Sequence, residues 1–466
     1  DTDPGVNGAL ADILTGASTP GDTNNVVQKA INNGSITING SRSYAFLTSP
    51  YYDGTGSLDW SYNFGITNNG NSAYVSNTNT GTIHVNGDEA TGFTILKGIH
   101  QVYNFGSILV GVSSSDNAIG YDTTIKSFTT INGTFVSQSS DGNLSGNNIS
   151  MVEGASALYA SKAPLEYGCD PSICTGYYKY IGDGQVLNAA GAVITIGKNA
   201  VESSGIRVEG TGSIQNRGII KVIGTGNYGM VATGNGNVIN LRDKNGNINV
   251  GLDDKYIGIF IQSSRSVGTY VQDSGNITIQ GGKVVVGIDE NGTKINDFNN
   301  NIIKDSAGIY AKNGNISILD ISFWDTESDY GKVITNAENT HAVILTRENS
   351  TLSTNFYNQG LINNQHVNTI GVYVSEGAEV KQENRGYVQS SNGGLDGITT
   401  GTYNNAQIIS GDGAIGVYAV GTGLSAETRV NIISGKIIGG NSILSPTTAT
   451  SIGVLGKKNA EITLGN

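Results

Sequence analysis

The sequence predicts an all-β chain wound as a right-handed parallel β-helix, with three strands per coil and loop or hairpin excursions. Three observations carry that expectation. Glycine supplies 67 of 466 residues and asparagine 53, against 6 prolines, a composition that weakens helices and favours turns. Short segments alternating apolar and polar residues, closed by Gly or Asn, recur along the chain with the period of two that marks strands. Their spacing falls in the upper twenties of residues, the scale of a coiled repeat.

The first recurring unit is 34–40 (GSITING), 81–87 (GTIHVNG), 191–197 (GAVITIG), 218–224 (GIIKVIG), 246–251 (GNINVG), 275–280 (GNITIQ) and 314–318 (GNISI). The second places glycine before an apolar pair that often holds an aromatic: 205–208 (GIRV), 229–232 (GMVA), 258–261 (GIFI), 308–311 (GIYA), 371–374 (GVYV), 416–419 (GVYA) and 453–456 (GVLG). From Gly191 through Gly218 and Gly246 to Gly275 the steps are 27, 28 and 29 residues. Each step also holds a copy of the second unit and often a third apolar stretch such as 237–241 (NVINL), giving three strands per repeat.

Strands this short cannot pair as hairpins without burying polar faces. Coiling stacks equivalent strands in parallel, sets each inward Ile or Val above its counterpart and lets Asn side chains at the bends form ladders. Bend glycines supply positive φ without strain. A repeat of about 27 residues at ~4.8 Å per coil allows roughly 17 coils, an upper limit because excursions consume residues. A propeller repeats every ~40–50 residues with Trp or His-Gly signatures, and the chain has 2 Trp.

The expected organisation is a cap-like segment with the first coil and an aromatic excursion over residues 1–80, coils over 81–160, a Cys/Tyr-rich excursion over 161–185 and continuous coils over 186–466. The formal charge, 26 − 38 = −12, disfavours a nucleic-acid partner, and 37% hydrophobic residues suffice for a core. No apolar run reaches the ~18 residues of a membrane-spanning helix. Residues Asp1 to Gly8 lack the pattern of a signal peptide, so the chain is either cytosolic or already stripped of a leader. Cys169 and Cys174, the only cysteines, are close enough for a small disulfide loop in an oxidising compartment, the alternative being two inert thiols. Asn-x-Ser/Thr triplets at strand positions, such as 276–278 and 315–317, argue against a glycosylated eukaryotic secretory protein.

Function is sought where the repeat breaks. Residues 49–64 gather Tyr51, Tyr52, Trp60 and Tyr62 beside Asp53 and Asp59, the aromatic faces and polar groups that a sugar-binding surface needs. The alternative reading is an N-terminal cap over the open end of the coil, and one segment can do both. Residues 167–180 place Tyr167, Tyr177 and Tyr178 around Cys169 and Cys174, and a pinned aromatic tip loses little entropy on docking; a plain surface loop is the alternative. A third break, 317–331, carries Phe323, Trp324, Asp325, Glu327, Asp329 and Tyr330. It reads first as a bulged coil with an acidic turn, and second as oxygen ligands for calcium.

No Gly-x-Ser-x-Gly elbow, His-Glu-x-x-His motif or phosphate loop occurs, and the four His are scattered. Asp253–Asp254 reads as a solvated bend rather than half of a hydrolase or lyase pair. A non-catalytic protein without a cofactor or resident metal is therefore expected.

The alternation of the two units, as in 306–318 (SAGIYAKNGNISI), resembles the passenger domains of type Va autotransporters, above all the very large fusobacterial adhesins with Asn/Gly-rich repeats. The resemblance spans most of residues 28–466 and is one of repeat style. It implies a β-helical segment exported to the bacterial outer-membrane surface through a C-terminal β-barrel that this sequence lacks. It also implies a lectin-like adhesin for galactose/GalNAc-type host glycans or an immune receptor such as TIGIT, or an adhesin for coaggregation with other bacteria. No family motif assigns a binding role to a numbered position here. The serine-protease members' Gly-Asp-Ser-Gly is missing, which leaves that activity without support. Two further readings are a structural stalk and a β-helical polysaccharide lyase or hydrolase.

Overall fold

Inward Ile and Val columns close the interior of each coil, and the bends between strands are short and rich in Gly, Asn and Ser. The computed structural model describes residues 29–48 (except 42), 74–95, 101–112, 152–160 (except 154–155), 185–209 (except 189–190), 213–242 (except 234–237), 258–319 (except 290–291), 331–438 (except 350, 368, 384–385, 391–397, 403–405, 411–413 and 422–427) and 452–465. Among these residues there is no helix. The chain divides into two compact units, Asp1–Ile239 with 298–300, and Asn240–Asp297 with 301–466.

In the first unit the chain visits three parallel sheets in strict rotation. The first sheet takes Lys29–Asn32, Tyr74–Asn77, Gln101–Asn104, Gln185–Asn188 and Ser213–Asn216. The second takes Ser35–Ile38, Thr82–Val85, Ser107–Val110, Val193–Ile196 and Ile219–Val222, and the third Tyr44–Thr48, Thr91–Ile95, Ser156–Ala160, Ser204–Glu209 and Tyr228–Thr233. Every strand pairs in parallel with its equivalent one coil on, so the chain winds as a parallel β-helix. The second sheet aligns Ile83, Ile108, Ile194 and Ile220 in one register line, and all four are fully buried.

At the end of the first sheet the line is polar and equally buried. Asn32, Asn77, Asn104, Asn188 and Asn216 stack in register. Each Nδ2 donates to the next Oδ1, at 2.8, 2.8, 2.7 and 2.7 Å. A side-chain amide carries both donor and acceptor, so a repeated Asn satisfies itself from coil to coil where water is excluded. This is the ladder expected from the Asn-rich bends.

The second unit repeats the rotation. Its first sheet runs Asn276–Gln280, Asn315–Leu319, Asn355–Asn358, Glu379–Gln382, Arg429–Ile432 and Glu461–Leu464; its second runs Gly258–Ile261, Lys283–Val286, Lys332–Thr335, Leu361–Asn364, Gln407–Ser410 and Lys436–Ile438. The third runs Val267–Gln272, Ala307–Lys312, His341–Thr346, Ile370–Ser375, Ile415–Val420 and Ile452–Lys457. Among the described residues two excursions interrupt it. Between Lys283–Val286 and Ala307–Lys312, Asp289 and Asp297 each accept the backbone N–H four residues on, at 2.8 Å, forming two successive side-chain-capped turns. Gly386–Ser390 and Ile398–Thr402 form an antiparallel hairpin.

The repeat read from the sequence contains a phase slip. Gly191 and Gly218 precede strands of the second sheet, whereas Gly275 and Gly314 precede strands of the first. Strands of both sheets alternate inward and outward residues, so their sequences look alike although they face different sides of the coil.

Glycines of the second recurring unit answer to packing. A Cβ on Gly205 would lie 2.8 Å from Ile220 Cγ2 and 2.9 Å from the Gly229 carbonyl; on Gly308 it would lie 2.6 Å from Val333 Cγ1 and 2.7 Å from the Ala342 carbonyl. In both cases the third-sheet strand passes so close to an inward second-sheet side chain and to the next coil's backbone that only hydrogen fits. Gly191, by contrast, has open space around it but a φ of +84°, and is a bend glycine of the expected kind.

Candidate functional site

The outward face of the third sheet in the second unit carries one aromatic-rich line. Tyr270, Tyr310, Ile344, Tyr373, Tyr418 and Leu455 occupy one register position on successive strands. Alternation fixes their direction: Ile309, Val343, Val372 and Val417, one residue earlier, are fully buried inward. Ring centroids are 5.5 Å apart for Tyr270 and Tyr310 and 5.8 Å for Tyr373 and Tyr418, with interplanar angles of 62° and 66°. His341 stacks on Tyr373 at 6.3 Å, and Lys457 Nζ sits 5.5 Å from the centre of the Tyr418 ring. Tyr270 is buried and donates to Gln272 Oε1 at 2.8 Å; Tyr310, Tyr373 and Tyr418 are half-buried.

Burial lowers the His341 imidazole below its ordinary 6.5. His84, on the second sheet of the first unit, is lowered chiefly by burial, with a backbone hydrogen bond to Val112 opposing. Both rings stay neutral in the folded chain at a pH where the unfolded chain already binds protons. Their contribution to stability is complete above pH 6.5 and is lost as pH falls through 6.5 towards the lower folded values. The unfolding midpoint should therefore drop between about pH 7.5 and about pH 5, the range in which imidazoles titrate, and drop less in His341→Gln.

The first sheet of the second unit presents a polar face. Asn355 donates to Asn315 at 2.8 Å and Asn315 to Asn276 at 3.0 Å, and Arg429 pairs with Glu461 at 3.2 Å. Between these rungs lies a groove of about 400 Å³ lined by Asn355, Phe356, Tyr357, Glu379 and Lys381. The Tyr357 hydroxyl donates to the Glu383 carboxylate and accepts from Gln359 Nε2 at 2.7 Å. Lys381 Nζ lies 3.0 Å from Glu383 and 5.2 Å from the centre of the Tyr357 ring. Burial, then the Glu383 carboxylate, push the phenol well above its ordinary pKa, and the hydrogen bond from Tyr357 holds the Glu383 carboxyl below its own. A phenol so held remains protonated and is poorly suited to act as a base; the cluster is equipped to bind and orient.

The residues singled out from the sequence lie outside the described residues: Tyr51, Tyr52, Asp53, Asp59, Trp60 and Tyr62 within 49–73, and Tyr167, Cys169, Cys174, Tyr177 and Tyr178 within 161–184. The same holds for Phe323, Trp324, Asp325, Glu327, Asp329, Tyr330, Asp253 and Asp254. Described strands nevertheless fix where two of these connections attach. The chain between Tyr44–Thr48 and Tyr74–Asn77, and that between Ser156–Ala160 and Gln185–Asn188, both lead from the third sheet to the first. They leave the same corner of the first unit, two coils apart, about 10 Å at the spacing of adjacent strands.

The tyrosine line is not legible from local sequence. Its signal is the third residue of GIYA, GVYV and GVYA, which alternation turns outward; excursions of unequal length hide the fact that these residues fall on one line. No family model matches the chain, and no curated protein or solved structure matches it either.

Proposed function

We propose that this chain is a non-catalytic segment of a bacterial cell-surface adhesin, the exported passenger portion of an outer-membrane autotransporter. Its coils are scaffold, and its excursions bind host glycans of the galactose/GalNAc type, an immune receptor such as TIGIT, or partner bacteria. The observation that carries this reading is the common corner of the first unit. The two connections that hold Tyr51, Tyr52, Trp60 and Tyr62, and Tyr167, Tyr177 and Tyr178, attach there two coils apart, a separation that one extended ligand can span. Aromatic side chains combine large contact area with low entropic cost.

Replacing Tyr51, Tyr52, Trp60 and Tyr62 together with alanine is expected to abolish attachment of the fragment to host cells or partner bacteria while leaving its β-type circular dichroism unchanged. Attachment at the wild-type level would reject this corner as the binding site. The second reading is a stalk that holds a binding tip elsewhere in a longer protein. It is favoured by the Asn ladder, which is pure scaffold across five coils of the first unit.

A further inference from the structure

We infer that Tyr373 and Tyr418 form an intramolecular oxidative cross-link site, a dityrosine staple between two successive coils of the second unit. The two residues are register partners on adjacent parallel strands. Their rings meet edge to face with centroids 5.8 Å apart at 66°. At this centroid spacing the two rings are neighbours, and coupling requires rotation about the side-chain bonds until a carbon ortho to each hydroxyl meets the other. Both rings are half-buried, open enough for an oxidant to reach an edge and confined enough for two radicals to meet each other before a second molecule.

The chemistry balances with one co-reactant, hydrogen peroxide used by a haem peroxidase. Each phenol loses one electron and one proton, giving two phenoxyl radicals. The radicals join through a new bond between their ortho carbons, and the two ortho hydrogens leave as the rings regain aromaticity and the oxygens are reprotonated. The protein loses two hydrogens, and the peroxide is reduced to two waters. The bond closes the chain from residue 373 to residue 418, which includes the strands Glu379–Gln382 and Gln407–Ser410 and the hairpin formed by Gly386–Ser390 and Ile398–Thr402. Separation of these two coils would then require breaking a covalent bond.

Neighbouring positions make the site selective. Ile344 stands between Tyr310 and Tyr373 in the same register line, so radical coupling cannot run along the whole face. Among the described strands the other in-register pair, Tyr270 and Tyr310, is shielded at Tyr270, which is 2% exposed. Among the tyrosines of the described strands the 373–418 pair therefore couples first.

The full chain, dilute and folded, is treated with a haem peroxidase and limiting peroxide, then read by dityrosine fluorescence, intact mass and sequencing of linked peptides. The expected product is a monomer lighter by two hydrogens with Tyr373 joined to Tyr418. Tyr373→Phe and Tyr418→Phe, which keep the ring and its packing, should each lose that linked peptide while retaining the fold. The cross-linked monomer should unfold at higher denaturant than the untreated one. Coupling that yields only intermolecular products, or linked peptides without the 373–418 pair in a chain shown to be folded, would overturn the assignment.

Discussion

Replacing Asn104 with leucine is expected to lower the stability of the first unit by roughly 2–4 kcal/mol, because two hydrogen bonds vanish and a buried acceptor is left without its donor. Asn104 is fully buried, receives Asn77 Nδ2 at 2.8 Å and donates to Asn188 Oδ1 at 2.7 Å. Leucine keeps the number and branching of side-chain heavy atoms, so no cavity opens where the ladder is broken. The control is Asn315→Leu. Asn315 holds the same kind of ladder contacts, to Asn276 and Asn355 at 3.0 and 2.8 Å, but on an outward, partly wetted face. Water replaces what leucine removes there, and the loss should be about 1 kcal/mol or less. Denaturant midpoints of the two variants check the contrast, and equal losses would deny that burial gives the inner ladder its weight.

The second large effect is expected at Gly268. An alanine Cβ there would lie 2.3 Å from Val284 Cγ1 and 2.5 Å from the Gly308 carbonyl. Valine can rotate, but a carbonyl held in a parallel ladder cannot, so the strand itself must shift, at a cost of about 3 kcal/mol. Gly453 occupies the corresponding register position on Ile452–Lys457, yet among the described residues its Cβ would meet only Ile437 Cγ2 at 3.9 Å. Gly453→Ala should therefore change stability by no more than about 0.5 kcal/mol. Two glycines at the same register position of the third sheet are thus expected to respond differently, and equivalent unfolding curves for the two alanine variants would contradict the packing account.

That contrast also marks what the sequence carries. Alternation of Ile and Val between closing glycines is a local signal, and it sufficed for parallel coils with three strands each and for an Asn ladder. Assigning a segment to a sheet requires the length of every excursion before it, and for that reason 275–280 reads as a repeat of 218–224 although they lie on different sheets. The glycine of GIYA reads locally as a turn residue; its cause is a carbonyl one coil away, at a sequence distance of 34 residues in the case of Gly308 and Ala342. The tyrosine line is hidden in the same way, since Tyr373 and Tyr418 become neighbours only after a hairpin excursion is subtracted. The aromatic excursions were legible as clusters, and their common corner emerged only from the sheet order.

The most direct test of a recognition role is binding by the purified 466-residue chain, shown to be folded by a β-type spectrum, to a glycan array and to immune-receptor ectodomains that include TIGIT. The account predicts saturable binding to a galactosamine-type glycan or to a receptor, lost when the aromatic residues of residues 49–64 are replaced. A folded chain that binds none of these, nor host cells or partner bacteria, would contradict it and leave the stalk as the better description.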